Sequence, residues 1–148
     1  GALCWLPSID RWADVVARLL APGGRLFLRE GHPVLWALDY ERSDDLLALE
    51  YPYVERPEPI VETSGETYVE TDEVLEPVTT HAWNHGLGEV VTALLDRGLQ
   101  LTSLVEHDSV TWVALPGRME AIGGGEYRLV DRPWRLPHSY TLQARLPA

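Results

Sequence analysis

Leu19-Leu20-Ala21-Pro22-Gly23-Gly24-Arg25-Leu26-Phe27-Leu28-Arg29-Glu30 holds a helix end, a turn and the start of a strand. Pro22 cannot continue a helical hydrogen-bond ladder, and Gly23-Gly24 accepts the dihedrals of a tight reversal. Upstream, Ile9, Trp12, Val15, Val16, Leu19 and Leu20 recur at helical spacing and form one apolar face. Ser8 or Asp10 stands where an oxygen can cap the first turn. Downstream, Leu26-Phe27-Leu28 is apolar at consecutive positions, which predicts an interior parallel strand covered on both faces. Ala2 to Leu6 reads as the exit of a buried strand or the loop after it.

The remaining elements follow the same rules. Leu87, Val90, Val91, Leu94 and Leu95 predict a helix from about Gly86 to Asp96, with Gly98 as its stop. Leu99 to His107 reads as a strand. Thr111 to Leu115 is apolar but short, and Gly123-Gly124-Gly125 is a turn. From Ser139 to Leu146, Tyr140, Leu142, Ala144 and Leu146 alternate with Thr141, Gln143 and Arg145. That pattern predicts a half-buried antiparallel strand beside Leu99–His107.

Charge divides the chain unevenly. The net charge is −11, and residues 39–76 carry all of it, with 13 acidic side chains against 2 arginines. Such a balance opposes phosphate backbones and anionic membranes, which need clustered basic groups. All 12 basic residues are arginine. A stretch of this length between elements is a lid or a binding loop more often than a simple connection, so residues 39–80 are expected to form an acidic insertion or lid near a pocket mouth. Alternation around Glu66-Thr67-Tyr68-Val69-Glu70 predicts one or two exposed strands there. The 148 residues suffice for one core, no apolar run approaches the ~20 residues of a membrane span, and Cys4 is the single cysteine. These features, with no signal segment in the sequence given, make the cytoplasm the expected compartment.

The order is helix, strand, insertion, helix, strand, antiparallel strand. It resembles the carboxyl-terminal half of the class I S-adenosylmethionine-dependent methyltransferase fold, a Rossmann-like sheet with helices on its faces. Leu6-Pro7 before the first helix, the Pro22-Gly23-Gly24 turn, the exit Glu30-Gly31-His32-Pro33 and the helix-to-strand junction Leu87 to Leu99 carry the likeness. It spans most of residues 1–148 outside 39–80, read as a single, partial methyltransferase-like domain. Ser8 departs from the aspartate many relatives carry, and Gly123-Gly124-Gly125 does not replace the glycine-rich cofactor turn, because it follows no parallel strand and opens no helix.

The resemblance implies methyl transfer from S-adenosylmethionine to a small molecule. It implies too that Ala2, Leu3, Cys4 and Trp5 line the floor beside the cofactor. Ligands of open α/β sheets sit at the carboxyl ends of strands. His32 follows such an end directly and is the expected base, since histidine titrates near working pH. Glu30, Trp36, Tyr68, Trp83 and His85 are the expected substrate contacts. His81 and His85 are four apart, a spacing that places two imidazoles on one helical face, but no third ligand is near and no metal is expected. Cys4 has no His or Asp partner in sequence and reads as an inert thiol.

The family's glycine-rich turn and ribose-binding acid lie upstream of the matching part. The expectation is therefore a truncated member that by itself is inactive and binds the cofactor weakly or not at all. An alternative is a non-catalytic α/β interaction module: an unpaired sheet edge and an uncovered apolar face recruit partners, which predicts a homodimer or a companion polypeptide. A third is a small-ligand binder that uses the aromatic insertion without catalysis.

Overall fold

The computed structural model describes residues 1–64, 76 and 78–148. A 3-10 turn over Leu3–Trp5 leads into helix α1 (Ile9–Leu19). Ser8 caps it, its hydroxyl accepting from Arg11 N at 3.4 Å. Strand β1 (Arg25–Gly31) follows the glycine turn and runs into a single helical turn, α2 (Pro33–Trp36). Strands β2 (Ile60–Ser64) and β3 (Val78–Ala82) form an antiparallel ribbon, and β3 leads to helix α3 (Leu87–Asp96). After α3 come β4 (Gln100–His107), the hairpin β5 (Met119–Gly123) and β6 (Glu126–Leu129), and β7 (Ser139–Arg145).

Among the described residues three strands make the main sheet in the order β1-β7-β4, antiparallel at both junctions. The expected pairing of the last strand with Leu99–His107 is present, from Gln100↔Arg145 to His107↔Ser139. Tyr140, Leu142 and Ala144 lie on one face of β7 and are all at most 1% exposed. They pack with Ile9 and Ala13 of α1, Val90, Ala93 and Leu94 of α3, and Leu3. Alternation along a strand sends i and i+2 to the same side, so α1 and α3 both cover this face. A second apolar cluster joins Leu35 and Leu38 to Val110, Leu115, Leu129 and Leu136. It anchors α2 and the β5–β6 hairpin to one another.

The sheet corrects one expectation. Leu26–Leu28 is not an interior parallel strand. Among the described residues β1 pairs only with β7, antiparallel, and forms a rim of the sheet. Leu26 and Leu28 pack against the core, whereas Phe27 is 66% exposed. Three successive apolar residues suggested burial on two sides, but only one face is covered here. The expected strand around Glu66–Glu70 lies outside the described residues. Among those described, no helix is long and apolar enough to cross a membrane.

Candidate functional site

A cavity of about 290 Å³ opens beyond the carboxyl end of β1. Its floor is Cys4 and Trp5, from the 3-10 turn. Leu35 and Trp36 of α2 form one wall, with Ala114 beside them. Tyr40 and Tyr51 come from the acidic segment, which the bridge Leu38↔Leu49 folds back on itself. The β2–β3 ribbon closes the opposite side. Ile60 pairs with Ala82 and Glu62 with Thr80, so these four share the face turned to the cavity, and Trp83 and Asn84 continue it toward α3. Among the described residues, 39–64 supply part of the pocket wall.

Aromatic contacts order the lining. Trp36 stacks on Trp112 with centroids 5.3 Å apart and planes 19° from parallel, and Tyr40 stacks on Tyr51 at 5.4 Å and 10°. The Tyr40 hydroxyl donates to Glu62 Oε1. Burial, then the hydrogen bonds to Glu62 and Tyr51, push the Tyr40 phenol far above its ordinary value, so it stays protonated. The other polar groups are largely engaged. Trp83 Nε1 donates to Pro57 O at 3.3 Å. Asn84 Nδ2 donates to Pro33 O and Pro52 O at 2.8 and 2.9 Å, and Asn84 Oδ1 accepts from His85 N. Burial and the nearby Glu30 push the Cys4 thiol up, which keeps it neutral and agrees with an inert thiol.

Several residues singled out from sequence meet at this strand end. Leu3, Cys4, Glu30, Trp36, Trp83 and His85 surround a second, water-sized gap of about 10 Å³ that shares Cys4, Trp36, Trp83 and Asn84 with the cavity. Their roles in the fold differ. Leu3 is core. Ala2 N donates to both oxygens of the buried Glu30 carboxylate, at 2.9 and 3.1 Å. Trp83 N donates to Cys4 O at 2.8 Å, joining the ribbon to the 3-10 turn. His85 is buried, with Nδ1 2.8 Å from Glu55 Oε2 and Nε2 2.8 and 3.1 Å from the carbonyls of Leu6 and Leu3. Its contacts are acceptors on both sides, and the ring stitches residues 3–6 to the acidic segment.

His32 sits at the strand end as expected but turns from the cavity. Its Nδ1 accepts from Val34 N at 3.1 Å and caps α2. Its Nε2 lies 2.9 Å from Glu106 Oε1 without the alignment of a hydrogen bond. Burial lowers its pKa, against the opposing pull of Glu106. His81 and His85 do not share a helical face: His81 is on β3, paired with Val61 on the side of the ribbon away from the cavity, and His85 precedes α3. Tyr68 lies outside the described residues. Tyr40, Tyr51, Glu62 and Asn84 were not among the expected site residues. The two tyrosines were visible as aromatics in an acidic stretch, but only the folded ribbon brings Glu62 against them.

Solved structures show a shared architecture. One, from Listeria monocytogenes and provisionally assigned as an S-adenosylmethionine dependent methyltransferase, superposes with a TM-score of 0.55 at 17% identity, over 99% of this chain and 58% of its own. An S-adenosylmethionine dependent methyltransferase from Mesorhizobium loti gives 0.53 at 14% identity, over 97% and 57%. The fold is that of part of a class I methyltransferase. The chain spans under two thirds of the length of either structure. No protein-family model matches the sequence, and no curated protein matches it at a significant level.

Within this methyltransferase fold the cavity does not suit the whole of S-adenosylmethionine. The methionine end carries a carboxylate, yet no basic side chain lines the cavity. The first turn of α1 is already engaged by Ser8 and by Glu55, whose Oε2 accepts from Ile9 N at 2.7 Å. At α3, Glu89 Oε2 accepts from Gly86 N at 2.6 Å. The helix ends beside the site therefore offer carboxylates where an anion would need donors.

Proposed function

We propose that this chain forms the acceptor-binding side of an S-adenosylmethionine-dependent methyltransferase that acts on a small molecule. The observation that carries the reading is the aromatic cavity at the carboxyl end of β1, in a chain that shares its architecture over nearly its whole length with one S-adenosylmethionine dependent methyltransferase and one protein provisionally assigned as such. A cavity of about 290 Å³ suits a small organic acceptor, not a polymer. Methyl transfer is an in-line displacement that gains most from orientation and exclusion of water, and walls of Trp and Tyr supply both. The donor is held by residues other than those of the cavity, which lacks the groups it needs.

The test supplies the full protein with methyl-labelled S-adenosylmethionine and a panel of small acceptors. Label is expected in a small-molecule product. Label found only in macromolecules, or no transfer to any acceptor, overturns the reading. Calorimetric titration of residues 1–148 with S-adenosylhomocysteine is expected to show weak binding or none; tight one-to-one binding would place the donor site within these residues.

A further inference from the structure

We infer that the cavity selects an organic cation, so that the acceptor is an amine that enters as its ammonium form; this rests on the methyl-transfer reading above and specifies its substrate class. The ammonium passes one proton to the open Glu62 oxygen or to solvent before its nitrogen lone pair displaces the sulfonium, the N–CH3 bond forming as the S–CH3 bond breaks. The lining is aromatic surface plus one charge. Trp5, Trp36, Tyr40, Tyr51 and Trp83 provide the surface, and Glu62 provides the carboxylate. Aromatic faces attract cations through the ring quadrupole, and the attraction grows when water is displaced.

The polar groups are disposed the same way. The donors of Tyr40, Trp83 and Asn84 are turned to protein acceptors. Cys4 and Tyr40 remain neutral. Glu62 Oε1 accepts from Tyr40, whereas Oε2 makes no hydrogen bond among the described residues, and no described basic side chain pairs with this carboxylate. An anionic guest would find no counter-charge here, and burying an unpaired charge is costly.

The surroundings extend the bias. Residues 39–64 carry eight acidic side chains against Arg42 and Arg56, which pair with Asp44 and Glu58. A cleft edged by a net excess of one charge raises the local concentration of the opposite ion. Trp5 is 55% exposed in the open cavity, which leaves apolar area for a guest to cover.

The experiment titrates residues 1–148 at low salt and follows tryptophan fluorescence. The probes are benzyltrimethylammonium, its uncharged carbon analogue neopentylbenzene, and phenylacetate. The ammonium is expected to bind at least tenfold more tightly than the neutral analogue, and phenylacetate not at all. Added salt and Glu62→Gln are each expected to reduce that preference severalfold, with circular dichroism confirming that the variant is folded. The salt series on the unaltered protein gives the answer even if the variant is not. Equal affinity for ammonium and neutral analogue, or binding of phenylacetate, overturns the inference. So does a preference that neither salt nor Glu62→Gln changes.

A sulfonium donor shares the chemistry of an ammonium. Displacement of the probe by S-adenosylmethionine but not by S-adenosylhomocysteine would assign the cavity to the donor and overturn its assignment to the acceptor. Methyl transfer to small molecules without any cation preference would remove this inference and leave the proposed function standing. A cation preference in a protein that transfers no methyl group would do the reverse.

Discussion

Gly31 ends β1 against the two stacked indoles, and its missing side chain is a packing requirement. A Cβ at this position would lie 2.7 Å from Trp112 Cη2, 3.0 Å from Trp36 Nε1 and 3.2 Å from Trp36 Cε2. Carbon atoms are comfortable at about 3.5–4.0 Å, so the Trp112 ring would have to retreat by roughly 0.8 Å. The strand cannot yield easily, because Gly31 is held in register opposite Ser139. Trp36 lines the cavity, so its displacement changes the cavity wall. Gly31→Ala is therefore expected to cost about 1–3 kcal/mol, the usual range for overpacking, and to weaken binding of the benzyltrimethylammonium probe at the same time. For a chain of this length about 2 kcal/mol corresponds to roughly 4–8 °C in melting temperature. Urea denaturation and calorimetry measure the first effect, fluorescence titration the second. Trp112→Leu should relieve part of the clash, so Gly31→Ala should cost less in that background. A Gly31→Ala protein within about 0.5 kcal/mol of the parent, the ordinary surface value, and with unchanged probe affinity would refute the packing argument.

Other outcomes follow from the same geometry. His85→Ala leaves the carbonyls of Leu3 and Leu6 and the Glu55 carboxylate without their shared donor; a loss of about 2–4 kcal/mol in urea denaturation is expected, and a change below about 0.5 kcal/mol would contradict it. Leu142→Ala, at a fully buried position in the middle strand, should cost about 2–5 kcal/mol by the same measurement. Burial lowers the pKa of His138 and His32 below the ordinary value of 6.5, so between the two values the unfolded chain binds more protons than the native one. Their stabilising effect is complete above the unfolded pKa and is lost as pH falls toward the folded values. The slope of stability against pH between about 7 and 5.5 should then be shallower in His138→Asn than in the parent; an unchanged slope would count against His138.

Local rules made some elements readable and left others hidden. Helices α1 and α3 and strand β7 were legible because each turns one apolar stripe to a common core, and period alone reveals that. The Ser8 cap and the stop at Gly98, where φ is +79°, follow from chemistry confined to a few residues. The three positive-φ glycines at 123–125 read as a turn, yet the hairpin around them is hidden: Met119–Gly123 and Glu126–Leu129 are short, and Glu120, Glu126 and Arg128 interrupt their apolar residues. A glycine reversal between two such runs was the signal available. His138 gave none, since a single polar residue before a strand does not disclose that it will be fully buried, accepting from Leu129 N at 3.2 Å. The cavity was partly visible. Trp36 and Trp83 were expected there, while the approach of Tyr40, Tyr51 and Glu62 depends on pairings between segments that sequence periodicity does not encode.

The order β1-β7-β4 places the last strand of the sequence between two earlier ones. Arg145 faces Arg25 on one side and Gln100 on the other, so more than a hundred residues are made before the first of these neighbours finds its partner. Among the described residues β1 and β4 have no direct link, so this part of the sheet is not complete until the strand between them is made. Chaperone demand should concentrate in that interval, and a stop codon placed just before Ser139 would leave two orphan strands where a rim deletion would have spared a pair.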